Sequence, residues 1–155
     1  MRTDVEELVV NKDVIDEIGS TCVLVRTRLI SRLITGIHDE KLRPFGISSA
    51  LFTLLVAIYQ IEPATRAEIG RFLHLDRSTL TRHLKVILSE GWAEEVQHHR
   101  DGRNRPIVLT KAGKNLLHRA EPAWQVGQAF AAALLGKEGL IAVMDIANRI
   151  MELAG

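Results

Sequence analysis

A mainly α-helical fold with one small β-hairpin is what this 155-residue sequence predicts, and three observations predict it. Apolar residues recur at helical spacing through most of the chain. Capping residues stand where the periodic runs begin, and glycines where they end. Only the stretch of about 92–109 breaks into two short extended runs, around an Asp101-Gly102 turn.

The elements follow in order. From about Val14 to Ile37, apolar residues at Val14, Ile18, Cys22, Val25, Leu29 and Leu33 predict one long helix. Val23, Leu24, Ile30 and Ile34 widen its stripe beyond what one neighbouring helix would cover, so a partner subunit is expected to cover the rest. Ser48 caps a second helix, about Ser49–Gln60, with Leu51, Leu54, Leu55 and Ile58 inward. Thr65-Arg66-Ala67-Glu68 is a capping box that opens a two-turn helix ending near Leu73. Three residues, His74-Leu75-Asp76, lead into the next helix, whose N-cap is Asp76 and whose buried side is Leu80, Leu84, Ile87 and Leu88. Gly91 suits the left-handed position after that helix, with Trp92 folding back onto its last turn. Trp92–His98 and Arg105–Leu109 are the extended runs. Thr110 caps a long helix through Leu135, expected to bend near Pro122 and to stop at Gly136. A last helix, about Lys137–Leu153, carries Leu140, Met144, Ala147 and Met151 on one stripe, with Val143 and Ile150 beside it.

Composition narrows the classes. With 46% apolar and 25% charged residues, the chain is ordinary for a folded domain, and its length suits one. A single cysteine excludes an internal disulfide framework and a multi-cysteine zinc site. No apolar run approaches the ~20 residues that span a bilayer, and no basic-then-apolar leader opens the chain, so a cytoplasmic domain with no membrane partner is expected. Net charge is +1, but it is unevenly spread: residues 1–18 carry −4 and residues 66–111 carry +3. A basic middle suits a polyanion.

The chemistry concentrates in that middle. A two-turn helix, a tight turn and an amphipathic helix form the outline of a helix-turn-helix. The outer face of the second helix offers short hydroxyls, Ser78, Thr79 and Thr81, that let the backbone approach phosphates. It also offers long donors, Arg77, Arg82 and Lys85, that reach base edges. Directly downstream, Arg100, Arg103 and Arg105 surround the hairpin tip, a wing suited to the adjacent minor groove. A plain helical hairpin with a solvated polar face is the simpler reading; the basic hairpin after it favours double-stranded DNA as partner. The predicted fold class is therefore a winged helix-turn-helix, about residues 48–110, flanked by N- and C-terminal helices at 14–37 and 111–153.

Leu75-Asp76-Arg77-Ser78-Thr79-Leu80-Thr81-Arg82 resembles the recognition helix of the MarR family of winged-helix transcriptional regulators. Asp101-Gly102-Arg103-Asn104-Arg105-Pro106-Ile107-Val108-Leu109-Thr110, continued by Lys111-Ala112-Gly113, looks like that family's wing signature. The resemblance follows the element order of nearly the whole chain. It implies one domain over 1–155 and a homodimer built from the flanking helices on a pseudo-palindromic operator. It also implies that Arg103 enters the minor groove while Asp101 orients the wing arginine. The implied function is a repressor released by a small ligand, an aromatic acid among the candidates, in a cleft that could draw on Arg26, Phe45, Phe52, Arg119 and Trp124.

Other readings stay open at this point. Cys22 lies in the first helix, where the peroxide-sensing branch of the family carries its reactive cysteine; that branch supports it with tyrosines, and Tyr59 is the only one here. Placed on the apolar stripe, Cys22 is expected to behave as a small buried hydrophobe, with thiol-based peroxide sensing as the alternative. The six histidines lack chelating spacing, so no metal and no cofactor are expected. No nucleophile–base constellation marks an enzyme. A winged-helix interaction protein that does not bind DNA is the rival of another class.

Overall fold

The computed structural model describes residues 10–96 and 105–154. Two compact units divide the chain, Met1–Thr35 and Gly36–Gly155.

In the first unit, Asn11 caps helix α1 (Lys12–Thr21) by accepting the Asp13 N–H at 3.0 Å. The expected uninterrupted helix of 14–37 is not formed. Cys22 turns extended (φ −64°, ψ 117°), and a second helix, α2 (Val23–Leu42), restarts behind it and runs past Ile37. Ser20 and Thr21, two successive residues before the break, bond their hydroxyls back to the Glu17 carbonyl at 3.1 and 2.8 Å, a pattern that slightly weakens a helix end. Arg26 then closes the end of α1, donating from Nη2 to the carbonyls of Gly19 (3.1 Å) and Ser20 (2.8 Å). No residue of α1 is buried, and Val14, Ile18, Val23, Leu24, Leu29 and Leu33 are all exposed within the single chain.

The second unit holds the core. A 3-10 turn, Arg43–Phe45, ends at left-handed Gly46. Ser48 caps helix α3 (Ser49–Ile61) by accepting the Leu51 N–H, and Asp39 accepts the Ser49 N–H at 2.6 Å. Leu54, Leu55, Ala57 and Ile58 of α3 are essentially inaccessible, because this helix packs against the two helices that follow it, the second strand and the last helix. Helix α4 (Arg66–Phe72) opens with the predicted capping box, Thr65 with Glu68. Helix α5 (Arg77–Ser89) buries Leu80, Leu84 and Ile87. Gly91 (φ 69°) ends it as expected: its N–H reaches the Leu88 carbonyl, and the Trp92 N–H reaches that of Ile87 at 2.9 Å.

Strands β1 (Ala93–Glu95) and β2 (Ile107–Leu109) pair antiparallel, with Ala93 opposite Leu109 and Glu95 opposite Ile107. Both are shorter than the runs predicted at 92–98 and 105–109, and residues 97–104 lie outside the described part. Ala64 adds a bridge that sequence reasoning missed, exchanging two backbone hydrogen bonds with Ile107. Glu62 ties the same region together, accepting the Leu109 N–H and a Lys114 ammonium proton, each at 2.7 Å.

Thr110 then starts helix α6 (Lys111–Ala154), accepting the Gly113 N–H as the predicted cap and donating to the Gly91 carbonyl at 2.6 Å. The dihedral break in α6 falls at Gly136 (φ 66°, ψ 171°), as expected of a stop there; backbone dihedrals at Pro122 stay helical. Beyond Gly136, Ile141, Met144, Ile146, Ile150 and Met151 are about half exposed.

Candidate nucleic-acid interface

Helix α4, the turn after it and helix α5 build one basic face. The turn works because His74 takes a left-handed conformation (φ 50°), uncommon outside glycine, while the Leu75 N–H holds the Gly70 carbonyl at 3.0 Å. Gly70 lets α5 approach closely, since a methyl there would sit 3.3 Å from a Leu80 methyl.

Asp76 organises the start of α5. Its Oδ1 accepts the N–H groups of Ser78 and Thr79, each at 2.9 Å, and the Ser78 hydroxyl at 2.6 Å. Its Oδ2 accepts the Thr79 hydroxyl at 2.7 Å. The two hydroxyl bonds, then the backbone ones, hold this carboxyl far below the usual carboxylate range. Ser78 and Thr79, read from sequence as hydroxyls facing phosphate, thus spend their protons on the cap. Thr81 spends its own on the Arg77 carbonyl at 2.7 Å. With these protons committed, the three hydroxyls have none to give an anion, and what they leave it is close backbone approach past short side chains.

The cations remain outward. Arg77, Arg82 and Lys85 are exposed on α5, and Arg82 makes one side-chain bond, from Nη2 to the Thr79 hydroxyl oxygen at 3.2 Å. At the hairpin base, Arg105 is exposed and lies 3.8 Å from a Glu95 carboxylate oxygen. Arg66, at the first position of α4, donates to the other Glu95 oxygen. Arg66, Arg71, Arg77, Thr81, Glu95 and Arg105 line an open groove of about 1110 Å³ between α4, α5 and the strands, while Arg82 and Lys85 lie outside its lining. Sequence reasoning missed Arg66, Arg71 and Glu95. Arg66 was legible only as part of a capping box, and no local signal places Glu95 beside it. Asp101 and Arg103, with Arg100, His98 and His99, lie outside the described residues.

A second cavity, of about 640 Å³, opens between the end of α2, α3 and the start of α6. Phe52 and Trp124 line it, as do His38, Tyr59, Lys114 and Glu121. His38 presses on α6 where Gly127 leaves room, and its buried Nδ1 has no hydrogen-bond partner among the described residues. Burial pushes its pKa down, against the opposing pull of Asp39. Of the other residues named for a ligand cleft, Arg26 is committed to the end of α1, Phe45 packs on the core, and Arg119 is exposed. Cys22 is half-buried at the α1–α2 break. Among the described residues, no three His, Cys, Asp or Glu side chains cluster as a metal site would need, and no single helix is long and apolar enough to cross a membrane.

A capped second helix crossing a short first one, with a two-stranded hairpin directly downstream and arginines on all three, defines the winged helix-turn-helix class. The comparisons are specific within it. A model of the MarR family matches residues 47–104. The solved structure of the transcriptional regulator MosR of M. tuberculosis, in complex with DNA, superposes with TM-score 0.72 at 31% identity, covering 86% of this chain and 96% of that one. An E. coli MarR variant in complex with operator DNA shares the fold, with TM-score 0.74 at 20% identity, over 92% of this chain and 99% of that one. The HTH-type transcriptional regulator YwoH of Bacillus subtilis is 36% identical over 81 residues, 52% of this chain and 58% of that protein. The chain spans about half the length of the curated relatives it matches. The chain belongs to the MarR family of winged-helix transcriptional regulators.

Proposed function

We propose that this chain acts as a homodimeric transcriptional regulator that reads double-stranded DNA, a repressor released from a pseudo-palindromic operator by a small ligand. One observation carries the DNA reading: the Asp76-capped α5 presents Arg77, Arg82 and Lys85 outward, and Arg77 shares a groove with Arg66 and Arg105. A helix so decorated with cations suits a major groove and its flanking phosphates. That relatives of this fold have been solved on DNA, one of them on operator DNA, supports the same reading.

Support for the dimer is of another kind. Aliphatic side chains on α1 and α2, and separately on the last part of α6, remain exposed in the single chain. Contiguous apolar surface of that sort marks an interface. The protein is expected to sediment as a dimer at micromolar concentration; a stable particle of 17.3 kDa would overturn the dimer.

For the effector, the support is the cavity beside His38, whose aromatic walls (Phe52, Tyr59 and Trp124) and polar rim suit a small aromatic acid. Gel-shift titration over a salt series tests the central reading. A duplex selected by the protein from a randomised pool should be retained in preference to a scrambled duplex, with affinity falling steeply as salt rises. Retention of neither duplex at low salt would favour a winged-helix interaction protein instead.

A further inference from the structure

Among the described residues, the groove on the basic face is lined by four arginines, Arg66, Arg71, Arg77 and Arg105, and by a single acid, Glu95. That acid is placed to touch two of them. Arg66 Nη2 donates to Glu95 Oε1 at 2.5 Å, across 29 positions of sequence, and Arg105 Nη1 lies 3.8 Å from Oε2. The carboxylate thus bridges the first residue of α4 and the residues leading into β2.

Stability is a poor explanation for this bridge. Relative exposures are 46% for the Arg66 side chain, 61% for Arg105 and 27% for Glu95, and ion pairs that open to water contribute little to folding. Arg66 also puts a cation on the first turn of a helix, where the macrodipole disfavours it. Glu95 offsets that locally. The consequence for a polyanion is different and larger. A phosphate that approaches Arg66 or Arg105 must compete with a carboxylate already in contact with both, and must come close to its charge.

We propose that Glu95 is a specificity-determining, positioning residue of the DNA face. It holds Arg66 and Arg105 in fixed places and suppresses sequence-independent attraction to phosphate, so that the contacts of α5 with base edges decide which duplex is retained. The assignment rests on the double-stranded-DNA reading above. A duplex whose bases satisfy α5 draws on that binding energy to pull the guanidiniums from Glu95 onto phosphates. One that does not satisfy α5 meets the same competing anion with nothing to offset it. Base contacts specify and phosphate contacts position, and Glu95 raises the weight of the first against the second.

The test compares wild type, Glu95→Gln, Arg105→Ala and the double variant by fluorescence anisotropy. The probes are a duplex selected from a randomised pool by the wild-type protein and a scrambled duplex of equal length, each over a salt series. Glu95→Gln should bind the scrambled duplex about tenfold more tightly and the selected one by a smaller factor. The slope of log affinity against log salt should steepen by about 0.9 per protomer for each phosphate newly neutralised. In the Arg105→Ala background the gain should shrink, because one of the two freed cations is missing. Thermal midpoints should stay close to that of wild type. If Glu95→Gln instead weakens both duplexes equally, at unchanged slope and with a lowered midpoint, the bridge is structural and the proposal is overturned. An undiminished gain without Arg105 would overturn its role as a partner. Wild type that binds neither duplex at any salt would sink the DNA reading itself, and Glu95's role with it, a result distinct from either of the others.

Discussion

Replacing Arg82 with alanine is expected to cost about 1–3 kcal/mol per half-site and to relax preference at particular base pairs, the largest effect on binding of any single exposed side chain. The guanidinium stands on the outward face of α5, nearly two turns beyond the Asp76 cap, and among the described residues its one hydrogen bond is to the Thr79 hydroxyl oxygen. A planar donor in that place reaches a guanine edge with two hydrogen bonds, a pairing that a wrong base leaves unmade. In a dimer the side chain occurs twice, so the loss in the whole complex should be roughly doubled. Folding should be almost unchanged, since Arg82 is exposed and opposite the buried Leu80, Leu84 and Ile87. Arg103→Ala provides the contrast. From the wing it should weaken selected and scrambled duplexes more evenly and flatten the salt dependence by about one charge per subunit. Titration of both variants with both duplexes decides the matter. Should Arg103→Ala erase base preference while Arg82→Ala leaves it intact, sequence is read by the wing and not by α5.

Much of this face was legible beforehand because its determinants are local. The Asp76 cap, the apolar spacing of Leu80, Leu84 and Ile87, and the Gly91-Trp92 ending of α5 are all set within a turn or two of the residues concerned. The break at Cys22 is local too, yet periodicity concealed it. Apolar spacing continues through the break, where Ser20 and Thr21 bond back to Glu17 and Arg26 takes the Gly19 and Ser20 carbonyls. Hydroxyls misled a second time at α5, where a polar outer face read as free donors although the neighbouring carboxylate takes the protons of Ser78 and Thr79. Glu95 with Arg66, and Ala64 with Ile107, were illegible for a plainer reason: partners dozens of residues apart leave no mark in a local pattern.

Gly113→Ala should be among the most damaging substitutions in the second unit, destabilising it by about 3 kcal/mol or more. Gly113 lies in the first turn of α6, with normal helical dihedrals, so its need for glycine is steric and not conformational. A methyl there would stand 2.9 Å from the Trp92 carbonyl carbon and nearer still to its oxygen, and backbone cannot swing aside as the end of a flexible side chain can. That same carbonyl accepts the Thr110 N–H at 3.1 Å, while the Thr110 hydroxyl holds the Gly91 carbonyl. Pushing Trp92 away therefore disturbs three things together: the cap of α6, the left-handed ending of α5, and the start of β1. The resemblance that singled out Lys111-Ala112-Gly113 after the hairpin acquires a physical reason here, as the place where the last helix is keyed to the recognition helix. Gly36→Ala makes the comparison clean. It adds the same methyl to a helix interior with nothing within 4 Å, and should be neutral or gain up to about 1 kcal/mol from helix propensity. Denaturant unfolding of both variants checks this, and DNA binding measured well below the midpoint should fall for Gly113→Ala alone, because α5 loses its anchored end. A Gly113→Ala protein within about 1 kcal/mol of wild type would mean that α6 does not depend on its seat against Trp92.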